Sequence, residues 1–401
     1  MLIPRLHRMS NSYRSWASSL IFFVGGFLLA HLRLQYNGSS KTRLEHPSSS
    51  GANVSPPSCP LSLDEKELLI ISSHSSGRLG NRMSEYASIV ALGALRGYTP
   101  VMSQRLQKSL VQIFPYIPYY QAVPLSIECM ADLVSVNPTN QRQLEQAMNR
   151  STRAWPRPAK GIKLVRNPHI PELYGLVSGI LAAHFTFEPQ LYMAAQTWLL
   201  QRHADLQSQL FEWVNPIWIG LHVRRTDYER VLSRRNASLV ELEYFERAIR
   251  EMKAIILGAE IAQHSKMVFV VASDDPAWCM QQLPRIPGEK FIFTNENDAI
   301  HIQDNGLESD FQVAFDLCVM SLCNHSIYDY GTFAFWGAYL SGGFVVAAAM
   351  DVVEEQQPQG GLGDLGNRVR MATDVMRADR NANLSRWHFI PAHLTPVTVL
   401  K

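Results

Sequence analysis

At 401 residues the chain is too long for one ordinary hydrophobic core, so two domains plus extensions are expected. With 46% apolar and 18% charged residues it reads as globular rather than disordered. A balance of 37 basic against 35 acidic residues argues against a protein organised around a nucleic-acid backbone, and five cysteines exclude a small disulfide scaffold or a cysteine-rich zinc module.

Residues 1–15 carry Arg5, Arg8 and Arg14 without an acidic residue, which fits a cytoplasmic tail. An apolar run follows from Trp16 to Ala30. As a helix it covers roughly 22 Å, against ~30 Å for a bilayer core, and Leu32 and Leu34 extend it while Arg33 reaches for the interface. This predicts an uncleaved transmembrane signal anchor over residues 16–34, suited to the thinner membranes of the early secretory pathway. The competing reading, a cleaved signal peptide, needs small residues at its exit, and Leu28 before Ala30 fits that badly. Residues 35–63 are rich in Ser, Pro, Asn and Gly with no apolar period, a flexible stem. Glycosylation sequons at Asn37, Asn53, Asn149, Asn236, Asn324 and Asn383 agree with a luminal body on a tether, although burial is expected to spare Asn324.

The folded part opens with a short aliphatic strand, Leu68 to Ile71, then the glycine turn Gly77-Arg78-Leu79-Gly80-Asn81 and a helical period from Met83 to Leu95. Residues 64–214 are expected to form an N-terminal α/β domain. Its middle is hard to order, and Leu191–Leu210 is its clearest helix. A cleaner series begins at Ile217. Ile217–Val223 is a continuous apolar strand, Leu239–Leu257 a helix, and Met267–Ala272 and Phe291–Phe293 are strands. A helix bearing Phe311, Phe315, Cys318 and Leu322 follows, then Ile327–Tyr328, a helix from Thr332 to Leu340, and Phe344–Ala348. The alternation implies a doubly wound parallel sheet over residues 215–350, whose ligands bind beyond the carboxyl ends of the strands. Residues 351–401 are expected to form a long loop with one helix and a tail returning to the core.

The string His222-Val223-Arg224-Arg225-Thr226-Asp227-Tyr228 stands at such a strand end. Alternation puts His222 and Arg224 on one face, with Arg225 opposite or turning into the loop. Guanidinium forks match phosphate oxygens, so the pair suits a diphosphate; a structural ion pair, Asp227 neutralising Arg225, is the plainer alternative. Gly77 and Gly80 let backbone approach a ligand ahead of a helix N-terminus, or simply make a tight turn. Gly331-Thr332 opens another helix, where the hydroxyl can bond phosphate or cap the helix. Asp274-Asp275 follows a strand but lacks Asp-x-Asp spacing, and reads as a turn and helix cap. There is no His-x-x-x-His pair, Gly-x-Ser-x-Gly elbow or Gly-x(4)-Gly-Lys loop, and Cys318 and Cys323 are poorly placed to bridge each other.

Taken together the chain resembles the α1,2-fucosyltransferase family of Golgi glycosyltransferases. The resemblance is carried by Gly77-Arg78-Leu79-Gly80-Asn81 with Glu85-Tyr86-Ala87, and by His222-Val223-Arg224-Arg225 with Asp227-Tyr228. Further matches are Phe269-Val270-Val271 with Ala277-Trp278-Cys279, then Cys323-Asn324-His325-Ser326-Ile327 with Gly331-Thr332-Phe333 and Trp336, and the closing Trp387 and Pro391-Ala392-His393-Leu394.

The resemblance implies a GT-B-like α/β architecture of two Rossmann-like domains facing a cleft. It also implies inverting, metal-independent transfer of fucose from GDP-β-L-fucose to the 2-hydroxyl of a terminal galactose. The same resemblance implies a Golgi type II membrane protein with its catalytic domain luminal. Carried over by position, Arg224 meets the β-phosphate with Arg225 in support. His222 and Asp316 read ribose and guanine, and Gly331 and Thr332 cradle phosphate beside the donor loop Gly77, Gly80 and Asn81. No cofactor is implied beyond the donor, and no metal. Glu85 and Asp227 are the candidates for the general base. Thr226 and Arg82 depart from the family, which has Gly and Gln there; Thr226 would strain the turn if its φ were positive. Those departures leave open a catalytically silent sugar- or nucleotide-binding protein, or a transferase with another acceptor.

Overall fold

The computed structural model describes residues 69–72, 77–118, 133–137, 161–165, 168–209, 215–233, 238–259, 266–295, 308–349, 379, 382 and 384–392. The expected tail, anchor and stem lie outside these residues, as do five of the six sequons and most of 351–386. Among the described residues no helix is long and apolar enough to cross a membrane.

Two parallel sheets organise the chain. The first holds β1 (Leu69–Ser72), β2 (Thr99–Val101), β3 (Leu133–Val136) and β4 (Gly161–Leu164) in the order β2-β1-β4-β3. Helices α1 (Leu79–Arg96) and α2 (Gln104–Val111) lie within this series; α3 (Pro171–Tyr174), α4 (Ser178–His184) and α5 (Pro189–Gln209) follow it. Helix α1 has Met83, Tyr86, Ala87, Val90 and Ala91 buried at helical spacing. It ends where Gly97 turns left-handed (φ 66°) and bonds the Gly93 carbonyl at 2.8 Å.

The second sheet runs β10-β9-β8-β5-β6-β7. Its strands are β5 (Ile217–Val223), β6 (Met267–Ser273), β7 (Lys290–Phe293), β8 (His325–Tyr328), β9 (Val345–Ala349) and β10 (Trp387–Pro391). Its helices are α6 (Thr226–Ser233), α7 (Leu242–Gly258), α8 (Pro276–Gln282), α9 (Glu308–Leu322) and α10 (Thr332–Ser341). Strand alternation divides the core. Ile219, Leu221, Phe269 and Val271 pack with Tyr244, Phe245 and Ile249 of α7. Val268, Val270 and Ile292 face the other way, joining Phe315 and Leu317 of α9 and Phe335 and Trp336 of α10. That second cluster continues into Met83, Tyr86 and Val90 of α1, so the two sheets share a core. Each aliphatic side chain buried there stabilises the fold by about 1.5–3 kcal/mol.

The C-terminal segment comes back to the core as a strand, a form that the sequence reading did not specify. Trp387–Pro391 is a sixth parallel strand, in register with Val345–Ala349. A proline ends it at the sheet's edge, where a missing N–H costs nothing, and the Pro391 carbonyl accepts from Arg247 at 2.6 Å. Thr226–Ser233 is likewise a helix that the sequence reading did not anticipate. Cys279, Cys318 and Cys323 are free and buried, which agrees with the expectation that Cys318 and Cys323 do not bridge.

Candidate active site

In the second sheet the strand order reverses between β5 and β8. From β5 the chain winds outward through β6 and β7, then returns to place β8, β9 and β10 on the other side. Such a switch point opens a crevice at the carboxyl edge. The residues leaving β5 are Arg224 and Arg225, and those leaving β8 are Asp329, Tyr330, Gly331 and Thr332.

Two carboxylates shape the turn after β5. Asp329, buried beneath it, accepts from the Arg224 N–H at 2.7 Å and the Tyr330 N–H at 2.6 Å. Burial raises its pKa despite the contribution of His222 and those N–H groups. Asp274, at the end of β6, accepts from the Arg225 N–H at 2.8 Å and the Thr226 hydroxyl at 2.5 Å. Burial works to raise the Asp274 pKa, yet those hydrogen bonds and the Arg224 charge leave it below the ordinary carboxylate value. Thr226 therefore has its own partner. It begins α6 and is absent from the positive-φ residues, so the strain considered for a non-glycine here does not arise.

The guanidiniums diverge as alternation requires. Arg225 turns to the α7–α8 side, 4.0 Å over the Trp278 ring, and donates to the Val240 carbonyl at 3.2 Å. The ion pair with Asp227 is made instead by Arg224, whose Nη2 bonds both Asp227 oxygens at 2.7 and 2.9 Å. Arg224 also lies 5.4 Å over Tyr228, and its buried Nε faces Asp274 at 3.4 Å without a well-directed hydrogen bond. His222 faces the α9–α10 side with its ring 5.3 Å from Phe333. Its Nδ1 also lacks a hydrogen-bond partner, at 3.6 Å from Asp329. Both nitrogens thus face carboxylates at long range, 3.6 Å and 3.4 Å, at one sheet edge.

Asp316 sits on α9 within electrostatic reach of His222. Burial pushes its carboxyl up to about 6 against hydrogen bonds from Thr294 and Gln312. The Gln312 amide donates to it at 2.7 Å and to Asn295 at 3.0 Å.

From the other sheet comes α1. A Cβ on Gly80 would lie 2.4 Å from the Phe333 nitrogen, so the N-termini of α1 and α10 touch through bare backbone. The Thr332 hydroxyl donates to the Asn81 amide oxygen at 2.7 Å across 251 positions of sequence, and makes no helix-capping bond. The cap itself is Gly331, at φ 91°. Arg82 donates through Nε to the Gly77 carbonyl at 3.0 Å, which braces the glycine turn.

Of the residues singled out from sequence, His222, Arg224, Arg225 and Asp227 thus gather at the end of β5. Asp316 joins them through His222, while Gly331, Thr332, Gly77, Gly80 and Asn81 meet along the helix seam. Glu85 stands apart: it is fully buried on α1, whereas Asp227 keeps about half its side chain exposed. Asn324, expected to be buried, is exposed, and its side-chain oxygen accepts from the Trp218 N–H at 2.8 Å. Asp275 caps α8, as its position suggested. Asp274 and Asp329 were missed as site residues. The signal each offered was a carboxylate one residue past a strand, a position from which it can bond a neighbouring strand's departing N–H.

The sequence profile of glycosyl transferase family 11 matches residues 62–359. Mouse galactoside 2-α-L-fucosyltransferase Sec1 is 28% identical over 277 residues, covering 68% of this chain and 65% of the relative. Galactoside α-(1,2)-fucosyltransferase 2 of the gibbon Hylobates lar is 27% identical over 281 residues, covering 68% of this chain and 69% of the relative. The chain therefore spans a little under two thirds of the mouse relative's length. Among solved structures, NodZ α-1,6-fucosyltransferase co-crystallised with GDP is 15% identical. It covers 68% of this chain and 92% of its own at a TM-score of 0.38, too loose a superposition to carry weight. The profile, extending over most of the chain and both sheets' strands up to β9, establishes that this protein belongs to glycosyl transferase family 11.

Proposed function

We propose that the protein is an inverting fucosyltransferase that moves L-fucose from GDP-β-L-fucose to the 2-hydroxyl of a terminal galactose. Its architecture on this reading is GT-B-like, and it works as a type II Golgi membrane protein on luminal glycoproteins or glycolipids. The activity named for its relatives supports fucosyl transfer, the galactoside acceptor and the linkage. The observation that carries the reading is the gathering of His222, Arg224 and Arg225 where β5 ends, at the switch point of a parallel sheet and beside the Gly331–Thr332 start of α10.

In this mechanism the guanidinium of Arg224 takes up the charge that develops on GDP as the bond to fucose breaks. Arg225, over the Trp278 ring and paired with Glu241 and Asp275, supports the turn rather than meeting the donor itself. Such preorganised charge in a partly dry site is worth about 3–4 kcal/mol of barrier for a single donor group. The carboxylates at this edge are already engaged by protein donors, Asp274 and Asp329 by backbone N–H groups and Asp227 by Arg224. Positive side chains rather than a metal are therefore assigned the leaving group. His222 and Asp316 hold ribose and guanine. A carboxylate at Asp316 accepts from guanine N1–H and the 2-amino group together. Asn81, Gly331 and Thr332 border the phosphates. Asp227, exposed where Glu85 is buried, is the base an acceptor hydroxyl can reach, provided Arg224 releases it on turning to the diphosphate.

Thr226 and Arg82, the two departures from the family, both make hydrogen bonds that stabilise the site, which favours an active transferase over a silent binder. The test incubates the chain with GDP-fucose and measures GDP release with and without galactose-terminated glycans, in buffer and in excess EDTA. Galactoside-stimulated release that persists in EDTA is expected. Tight GDP binding without turnover would favour the silent binder, and loss of turnover in EDTA would contradict the metal-free mechanism.

A further inference from the structure

The α1–α10 seam has a second layer, one helical turn beneath Asn81 and Thr332. Ser84 follows Gly80 by four residues on α1, and Trp336 follows Thr332 by four on α10. Trp336 Nε1 donates to Ser84 Oγ at 2.9 Å, and that oxygen lies 3.0 Å from the Gly80 carbonyl. It also lies 2.8 Å from His169 Nδ1, and His169 Nε2 is 2.7 Å from Asp379. Tyr328 OH donates to the other Asp379 oxygen at 3.3 Å. The His169 and Asp379 side chains are each 3% exposed, and Phe335 sets its ring edge-on to the imidazole at 4.8 Å.

The order serine, histidine, aspartate imitates a nucleophile with its base. Ser84 cannot serve as one: it is 1% exposed, and Trp336, Gly80 and His169 already surround its oxygen. What the group does have is direction. A hydroxyl offers one proton and two lone pairs, and three partners on α1, α10 and the segment before α3 use all of them. Apolar packing alone lets two helices slide, whereas bonds of fixed direction set their rotation and separation. Burying an ionisable pair contributes little net stability, so its value lies in what it specifies.

We propose that His169, held by Asp379, is a positioning residue of the donor site. Through Ser84 it fixes α1 against α10 and so sets the spacing of Asn81, Gly331 and Thr332. The inference rests on the reading of that seam as the phosphate cradle. Asp379 thereby gives the C-terminal segment a part in donor binding.

Two variants test it in the full chain. Ser84→Ala removes a single oxygen. His169→Leu combined with Asp379→Leu replaces the buried pair with apolar groups and leaves no stranded charge. Both are expected to bind GDP about tenfold more weakly by calorimetry. In active preparations both should raise KM for GDP-fucose, with KM for the galactoside unchanged. Thr332→Ala should cost less in either background than in the parent, and amide hydrogen exchange from Thr332 to Phe335 should quicken without nucleotide. If the double variant fails to fold, Ser84→Ala decides. Parental GDP affinity, parental exchange and additive Thr332→Ala effects in folded variants would overturn the proposal. Failure of the parent itself to bind GDP would instead sink the donor reading, and the exchange data would still decide whether His169 sets the seam.

Discussion

The six-stranded sheet brings the paired guanidiniums and carboxylates of the site, while the four-stranded sheet, apart from Arg82 on the glycine turn, brings mainly neutral groups and bare backbone. At the end of β5, two guanidiniums are steered to opposite faces by alternation and pinned by Asp227, Asp274 and Trp278. At the start of α1 the contribution is a bare Cα at Gly80, an amide at Asn81 and a hydroxyl at Ser84. One half stabilises by electrostatics, and the other by how closely backbone can approach. The two should fail differently: loss of charge affects the transition state, and loss of closeness affects fold and donor affinity together.

The largest expected effect is on the charged side. Arg224→Ala should lower kcat/KM by about 10²–10³, with an intact fold by circular dichroism. Steady-state GDP release checks this, and near-parental kcat would remove Arg224 from the chemistry. Asp316 comes next, and here the sign matters. Its folded pKa is raised to about 6 from an ordinary 3.8, so the folded state binds its proton more tightly. Its effect is therefore a stability lost as pH rises from about 4 to 6, at most about 3 kcal/mol. Asp316→Asn should remove that dependence in urea melts recorded between pH 4 and 7, and should weaken GDP binding at pH 7. Asp274, with a depressed pKa, runs the other way, losing its contribution as pH falls through its folded value, so the two carboxylates can be separated in the same melts.

On the backbone side, Gly80→Ala sharpens the comparison. Its methyl would meet Phe333 main chain rather than a yielding side chain, so α1 and α10 must part. A loss of about 1–3 kcal/mol in urea denaturation is expected, with weaker GDP binding. Unchanged stability would mean that the seam is looser than drawn. The smallest effect is Arg225→Lys, which keeps charge but gives up the planar stack on Trp278. About 1 kcal/mol of stability and a change in Trp278 fluorescence are expected, with turnover reduced only modestly.

The residues themselves determined most of the second sheet. Long apolar strands such as Ile217–Val223 and Met267–Ser273 carry a local signal, because burial on both faces demands uninterrupted hydrophobes. The same alternation assigned Arg224 and Arg225 to opposite faces before any coordinates, since it is a property of the strand alone. It did not assign their partners: the alternative of an ion pair put Asp227 beside Arg225, and it lies on Arg224. The strands of the first sheet, three or four residues each, gave too little pattern to order, and Trp387–Pro391 became a strand only because β9 offered it an edge. Tertiary structure alone decided that Asn81 would meet Thr332, that Glu85 would be sealed inside, and that Ser84, His169 and Asp379 would form one line. Those contacts join positions up to 251 residues apart. Periodicity is written in neighbours along the chain, but a hydrogen bond between distant segments exists only once the core has brought them together.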